Sequence, residues 1–279
     1  MTVNYDSAIS IKNVLAENGL SIQKKFGQNF LLNPAMRKKI TDALHIEQGK
    51  TRIAEIGPGL GAMTQAILDR EPGAVTVFEI DAGYCKILRT LFADALAAQK
   101  LELVQGDVLK TFFEQQQNPD ILFGNLPYNI AATFIAQTIT SGMIFKRIVV
   151  TVQKEIALRI TGKPKTKNYS ALSLIVQKFY TAETLCDIGA ANFYPKPNVD
   201  SRTLILTARE TAPNTDAKVF AALVHKAFAV RRKMLRSAID ASLIAECGFP
   251  PTVRAEELSV ADFERLCYAY THGNDANQH

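Results

Sequence analysis

The stretch Ile53-Ala54-Glu55-Ile56-Gly57-Pro58-Gly59-Leu60-Gly61-Ala62-Met63-Thr64, IAEIGPGLGAMT, decides the fold. An apolar run ends at Ile56, glycines at 57, 59 and 61 carry a turn, and a helical pattern follows from about Ala62 to Arg70. Glycine lets a backbone bend sharply and approach a ligand closely. Strand, glycine turn and helix in that order begin an open α/β sheet, whose ligands sit outside the carboxyl ends of the strands. The spacing is Gly-x-Gly-x-Gly after Glu55, not the dinucleotide fingerprint Gly-x-Gly-x-x-Gly, and the absence of a Walker lysine excludes a P-loop.

Working outward, the alternation repeats. AVTVFEID (74–81), LELVQGD (101–107), DILFGN (120–125) and RIVVTVQ (147–153) read as further strands, with helices through YCKILRTLFADALAAQ (84–99) and NIAATFIAQTIT (129–140). Such alternation implies a mostly parallel sheet covered on both faces. SALSLIVQKFYTAETLCDI (170–188) and SRTLILTA (201–208) then read as one helix and two strands without regular crossovers, an antiparallel addition at the sheet edge. The polar stretch RETAPNTDA (209–217) reads as a linker. Beyond it AKVFAALVHKAFAV, RRKMLRSAIDASLIAE and SVADFERLCYAY look helical. The expected organisation is an α/β domain over 1–208 and a small helical domain over 209–279.

With 279 residues, 47% of them hydrophobic, the chain can bury a sizeable core, yet it has no apolar run long enough to span a membrane. The N-terminus lacks a signal-peptide pattern and reads as a short amphipathic helix with Ile9, Ile11, Val14 and Leu15 on its apolar face. Cys85, Cys186, Cys247 and Cys267 are too scattered for a zinc site or disulfide framework, which fits a reducing cytoplasm. The net charge of +5 is mild but unevenly placed. Segments 22–40, 146–167 and 218–236 hold 18 of the 32 Lys and Arg and a single acid, Glu155. Three blocks of one sign suit a polyanion; solvated faces that never converge are the plainer reading.

Two acids follow the glycine turn at successive strand ends. Glu79 can accept hydrogen bonds from both hydroxyls of a ribose, and Asp107 from an adenine amine, although Asp107 also suits a helix N-cap. At the fourth strand end stands GNLPYNIA (124–131), which places an amide, a carbonyl and an aromatic ring together. Alone it could be a turn. Gly-x-Gly-x-Gly with Glu79 and Asp107 resembles the S-adenosylmethionine site of class I methyltransferases, and Asn-Leu-Pro-Tyr after strand four resembles their amino-methylating members. KKFGQNFLLNP, EIGPGLGAMT, EID, GD, GNLPYNI, VQKEIALRI and FYPKPNVDS, in that order, are similar to the ribosomal RNA adenine dimethyltransferases, from about Lys24 to Tyr270. The tail RRKMLRSAI with RAEELSVADFERL is similar to the small-subunit branch.

The resemblance implies a Rossmann-like fold, with S-adenosylmethionine as methyl donor and S-adenosylhomocysteine as product. It implies dimethylation of the exocyclic amines of two adjacent adenosines near the 3′ end of small-subunit RNA. Gln28, Asn29 and Leu31 would close over the cofactor, and Gly57 would line its methionine part. Glu79 would hold the ribose, and Asp107 and Val108 the adenine. Asn125 and the Leu126 carbonyl would accept the two amine hydrogens, with Pro127 aiming that carbonyl. Tyr128 would stack on the extruded base and Phe193 would form its other wall. Lys154, Arg159, Lys163, Lys165 and Lys167 would face RNA. The expected partner is the RNA of an assembling small (pre-30S) subunit, the expected state a monomer, and no metal, covalent nucleophile or strong base is required. Two positions depart from the family pattern: Ala131-Ala132 where Ser or Thr is expected, and Ser170 in place of Gly.

Overall fold

The computed structural model describes residues 2–23, 27–115, 119–127, 129–210 and 216–272. Its centre is β2 (Arg52–Ile56), four of whose five residues are buried, as a parallel strand covered on both faces requires. Beside it lie β3 (Ala74–Glu79) and β4 (Leu101–Gln105) on one flank, and β5 (Ile121–Asn125) and β6 (Arg147–Gln153) on the other, all parallel. β9 (Ser201–Ala208) runs antiparallel to β6, and β7 (Tyr180–Ile188) follows it, giving the order β4-β3-β2-β5-β6-β9-β7. The chain winds outward one way from β2 to β4 and then returns to β5. The strand order therefore reverses between β2 and β5, and a crevice opens there at the carboxyl ends. Ile53, Val75, Val77, Leu101, Ile121, Phe123 and Val149 are buried in the core of this sheet.

A ribbon of β1 (Phe30–Leu31) and β8 (Phe193–Tyr194) pairs Leu31 with Phe193. Helix α1 (Ala8–Glu17) is capped by Ser7, whose side chain accepts from the Ser10 N–H. It buries Ile11, Val14 and Leu15 as expected, but Ile9 is 71% exposed and belongs to the opposite face. Helix α2 (Pro34–Asp42) starts on the Asn33 cap, with Pro34 at the position where a missing N–H costs nothing. The single helix expected over 84–99 is two, α4 (Ala82–Leu91) and α5 (Ala93–Ala97), broken at Phe92, whose φ is −114°.

The chain divides into two compact units, 1–131 with 145–154 and 183–207, and 132–144 with 155–182 and 208–279. The helical unit is thus larger than the C-terminal tail, since two earlier segments join it. It contains α9 (Ala171–Phe179), α10 (Ala217–Phe228), α11 (Ala241–Glu246) and α12 (Val260–His272). Tyr169, Phe220 and Phe263 are among its fully buried side chains. RRKMLRSAIDASLIAE is not one helix: only a 3₁₀ turn at Leu235–Ser237 and α11 form, because Asp240 accepts from the Ser242 N–H and starts a new helix. Within the linker, 211–215 lies outside the described residues. Among the described residues no helix is long and apolar enough to cross a membrane.

Candidate active site

The carboxyl ends of β2, β3, β4 and β5 surround a cavity of ≈ 340 Å³ within the sheet unit. Gly57 leaves β2 with φ 69°, and its N–H donates to the Phe78 carbonyl at 2.9 Å. Gly59 has φ 60°, and a Cβ there would stand 3.1 Å from the Phe30 ring. A side chain there would require the Phe30 ring to give by a few tenths of an ångström and would strain the backbone at that positive φ.

Glu79 is 5% exposed on this wall. One carboxyl oxygen accepts from the Asp81 N–H at 2.8 Å and the other from the Gly59 N–H at 3.3 Å. Burial pushes the carboxyl up to about 7, although these backbone donors pull the other way. Each oxygen retains acceptor capacity for a ligand hydroxyl. Asp107 does both things its position allows: Oδ1 accepts from the Leu109 N–H at 3.0 Å, capping α6 (Val108–Glu114), and the residue lines the cavity beside Val108.

Asn125 ends β5. Its Nδ2 donates to the Asn29 carbonyl at 3.0 Å, which turns Oδ1 of the same amide away from Asn29. The Leu126 N–H donates to the Thr151 carbonyl at 3.0 Å, and the Leu126 side chain is buried. Pro127 lines the cavity, and its carbonyl accepts from the Ile130 and Ala131 N–H groups, both at 3.1 Å. That carbonyl closes the first turn of α7 (Ala131–Thr140) where the family pattern has a hydroxyl side chain. Tyr128 lies outside the described residues, as do Lys24 and Lys25.

Three expected residues sit differently from their expected roles. Gln28 lines the cavity, but its amide is committed: Oε1 accepts from the Tyr84 hydroxyl and the Gln23 N–H, and Nε2 donates to Asp81. Phe193 is 3% exposed and packs in the core with its ribbon partner Leu31, so its ring gains more from burial than from a face on the cavity. Arg37, counted in the first basic block, is 9% exposed and bonded within the protein, which removes it from the polyanion footprint. Asn29 and Leu31 line the cavity.

Three further wall residues escaped sequence reasoning as site groups. Glu55 is 2% exposed, its carboxyl accepts from the Thr64 hydroxyl at 2.7 Å, and burial, with a contribution from Glu79, pushes it up to about 8. The signal was an acid inside a strand buried on both faces, a position that charge normally avoids. Ile80, 44% exposed on the wall between two acids, offers an apolar face to a flat ring. Thr151 stands beside Asn125 in register and shares a 2.8 Å hydrogen bond with Thr203. The assembled set fits S-adenosylmethionine: buried Glu79 for its hydroxyls, half-buried Asp107 for its amine, apolar Ile80 and Val108 for its purine, and a glycine turn whose Gly59 has no room for a freely placed Cβ.

Residues 19–255 match the family described as Ribosomal RNA adenine dimethylase. The chain is 42% identical over 280 residues to a Ribosomal RNA small subunit methyltransferase A of Treponema pallidum (strain Nichols), covering 94% of this chain and 96% of that one. It is 36% identical to the protein of that name from Persephonella marina, covering 88% of this chain and 92% of that one. A dimethyladenosine transferase from Plasmodium falciparum superposes with a TM-score of 0.73 at 24% identity, over 87% of this chain and 97% of that one. The 23S rRNA methyltransferase ErmE superposes with a TM-score of 0.61 at 19% identity, over 85% and 98%. These superpositions show the fold, a Rossmann-like, mostly parallel sheet flanked by helices. The glycine loop, the Asn-Leu-Pro-Tyr strand end and these identities have one reading: the chain belongs to the ribosomal RNA adenine dimethylase family.

Proposed function

We propose that this protein transfers methyl groups from S-adenosylmethionine to the exocyclic amines of two adjacent adenosines near the 3′ end of small-subunit (16S) ribosomal RNA, giving dimethyladenosines during ribosome assembly. One observation carries the reading: a Cβ on Gly57 would lie 3.8 Å from the Asn125 carbonyl. The cofactor loop and the amine acceptor thus share one crevice.

S-adenosylmethionine supplies a methyl group already activated as a sulfonium, so the protein's task is orientation. Glu79 accepts from the ribose hydroxyls, Asp107 accepts from the adenine amine, and Val108 and Ile80 flank the ring. Gly57 lets the backbone approach the methionine part, while Asn29 and Leu31 wall it from the N-terminal side. The target amine is a poor nucleophile because its lone pair is shared with its own ring. Asn125 Oδ1 and the Leu126 carbonyl accept its two hydrogens, which favours a pyramidal nitrogen with its lone pair aimed at the methyl carbon. Pro127 restricts the chain that carries this carbonyl. Tyr128 stacks on the flipped base, a step that costs a few kcal/mol of unstacking, about what aromatic stacking returns. Phe193 backs Leu31 through the β1–β8 ribbon. Each transfer forms one N–C bond, breaks one C–S bond and releases one amine proton.

The helical unit supplies RNA contacts through exposed Lys163, Lys165, Lys167, Arg232 and Lys233. The substrate is the RNA of an assembling small (pre-30S) subunit, engaged by a monomer in the cytoplasm. The test is incubation with labelled S-adenosylmethionine and immature small subunits, followed by RNA digestion. Dimethyladenosine in adjacent pairs is expected; its absence, with protein that is folded and binds S-adenosylhomocysteine, overturns the proposal.

A further inference from the structure

Arg37 is heavily engaged within the sheet unit. Its Nη1 donates to the Leu31 carbonyl at 2.8 Å, the Leu32 carbonyl at 2.7 Å and the Tyr5 carbonyl at 3.4 Å, and its Nη2 pairs with Asp6. A planar fork with five donors can reach several carbonyls and a carboxylate in one fixed plane, whereas an ammonium has three donors on a flexible stem. Burying such a group is costly unless it is fully bonded. The bonds converge on two segments that also share a hydrophobic cluster through Tyr5 and Leu32: the N-terminal residues 5–6 and the β1 end at 31–32.

The β1 segment lines the crevice, and Tyr5 reaches its glycine loop. The Tyr5 hydroxyl donates to the Leu60 carbonyl at 3.0 Å, inside the glycine loop. One step upstream of β1, the Asn29 carbonyl receives the Asn125 amide at 3.0 Å. Phe30 stands against Gly59 closely enough that a single added Cβ would come to 3.1 Å. Arg37 thereby connects to the cofactor loop twice, through Tyr5 and through Phe30, and to the amine acceptor once, through Asn29.

We infer that Arg37 and Tyr5 are positioning residues for methyl transfer: together they clasp the N-terminal segment so that Phe30 seats the glycine loop and Asn29 orients the Asn125 amide. Arg37 touches neither cofactor nor RNA. The inference rests on Asn125 as the amine acceptor, and its cofactor half stands apart from that assignment.

The experiment uses the full chain with Arg37→Met, Arg37→Lys and Tyr5→Phe. Binding of S-adenosylhomocysteine is measured by calorimetry without RNA, and kcat and KM are measured with small subunits. For Arg37→Met the cofactor Kd is expected to rise and kcat to fall, each about tenfold, the loss of one charge-assisted hydrogen bond, while the subunit KM holds within about twofold. Arg37→Lys should recover part of both. Tyr5→Phe should raise the cofactor Kd about threefold, as for one neutral hydrogen bond. A folded Arg37→Met with unchanged Kd and kcat overturns the inference, since Arg37 would then only stabilise the fold. A raised subunit KM with unchanged cofactor Kd also overturns it, in favour of an RNA contact. If Arg37→Met does not fold, unchanged Kd in both Arg37→Lys and Tyr5→Phe overturns it. Failure of the proposed function looks different: wild-type protein would bind the cofactor, show these Kd shifts and yet leave subunits unmethylated.

Discussion

At the scale of single residues, two buried carboxyls set how the crevice responds to pH. The Glu79 carboxyl, pushed up to about 7 by burial, must be ionised to accept from two ribose hydroxyls. Ligand binding lowers its pKa and releases a proton wherever the free site holds one. Affinity for S-adenosylhomocysteine should therefore be full above pH 7 and weaken as pH falls below it, with proton release detectable by calorimetry in buffers of different ionisation enthalpy. Glu79→Gln should bind weakly and without that slope. Glu55 gives the opposite kind of signal. Its folded pKa of about 8 lies above the ordinary 4.5, so the folded state holds a proton through that window while the unfolded chain does not. Stability falls as pH rises from 4.5 to 8. Glu55→Gln should then raise Tm relative to wild type more at pH 8 than near 4.5; equal shifts at the two ends would contradict the assignment. Asn125→Ala should keep cofactor affinity and lose on the order of a hundredfold in kcat, because acceptors that aim the amine act only in the reacting complex.

At the scale of elements, the strands were legible because a parallel sheet needs short, continuous apolar runs, and β2, β3, β5 and β6 supply them. The glycine loop, Glu79 and the β5 end were legible as site groups for the same reason, since each follows or ends such a run, while Asp107 lies two residues past the half-exposed β4. Contacts made across long loops were not. Nothing local in Phe193 says that β8 will pair with β1 and draw its ring into the core, or that Arg37 will meet Tyr5 and Leu31. Lys178 is the clearest case. It sits on α9, a helix with almost no exposed face, and its side chain is fully buried. Its Nζ lies 3.4 Å from Glu264 on α12 and 4.4 Å from the centroid of Phe220 on α10. Burial lowers its pKa, with Glu264 opposing. The folded state thus binds its proton less tightly than the unfolded chain, and stability should climb as pH rises toward the ordinary 10.5. Lys178→Met removes the desolvation cost, keeps apolar packing against the rings while losing the cation–π contact, and should raise unfolding stability in urea by about 1 kcal/mol. Glu264→Ala should lower it by about 2 kcal/mol, less than for a buried acid because Glu264 is partly exposed. A loss in Lys178→Met would mean that the cation–π contact outweighs desolvation.

At the scale of the whole molecule, the even-looking net charge of +5 conceals a division of labour among the cations. Several of the Lys and Arg in the three blocks pair with acids of the same chain, Arg37 in a buried setting and Lys38 and Lys146 at the surface. Lys146 pairs with Asp120, Lys154 with Asp187, Lys38 with Asp42, and Arg37 with Asp6. In the helical unit, however, Arg231 joins two blocks. Its Nε pairs with Glu256 at 2.7 Å, and its Nη2 donates to the Thr166 and Lys167 carbonyls at 3.2 and 3.0 Å. The Lys165 N–H donates to the Glu256 carbonyl at 2.8 Å, so the 163–167 loop and the start of the 231–236 segment are held by the same two residues. Exposed Lys163, Lys165, Lys167, Arg232, Lys233 and Arg236 then belong to neighbouring segments rather than to scattered faces. Phosphate contacts release counterions, and each one lost should reduce the salt slope by about 1. Replacing Lys163, Lys165 and Lys167 together by Ala should therefore flatten the plot of log affinity for small-subunit RNA against log salt by about 2 to 3, weaken binding at low salt and leave S-adenosylhomocysteine affinity unchanged. Arg37→Met should show the reverse, with its slope intact and its cofactor affinity reduced. Equal slopes for wild type and the triple variant would show that the loop does not touch phosphate, and would leave 231–236 to account for the attraction alone.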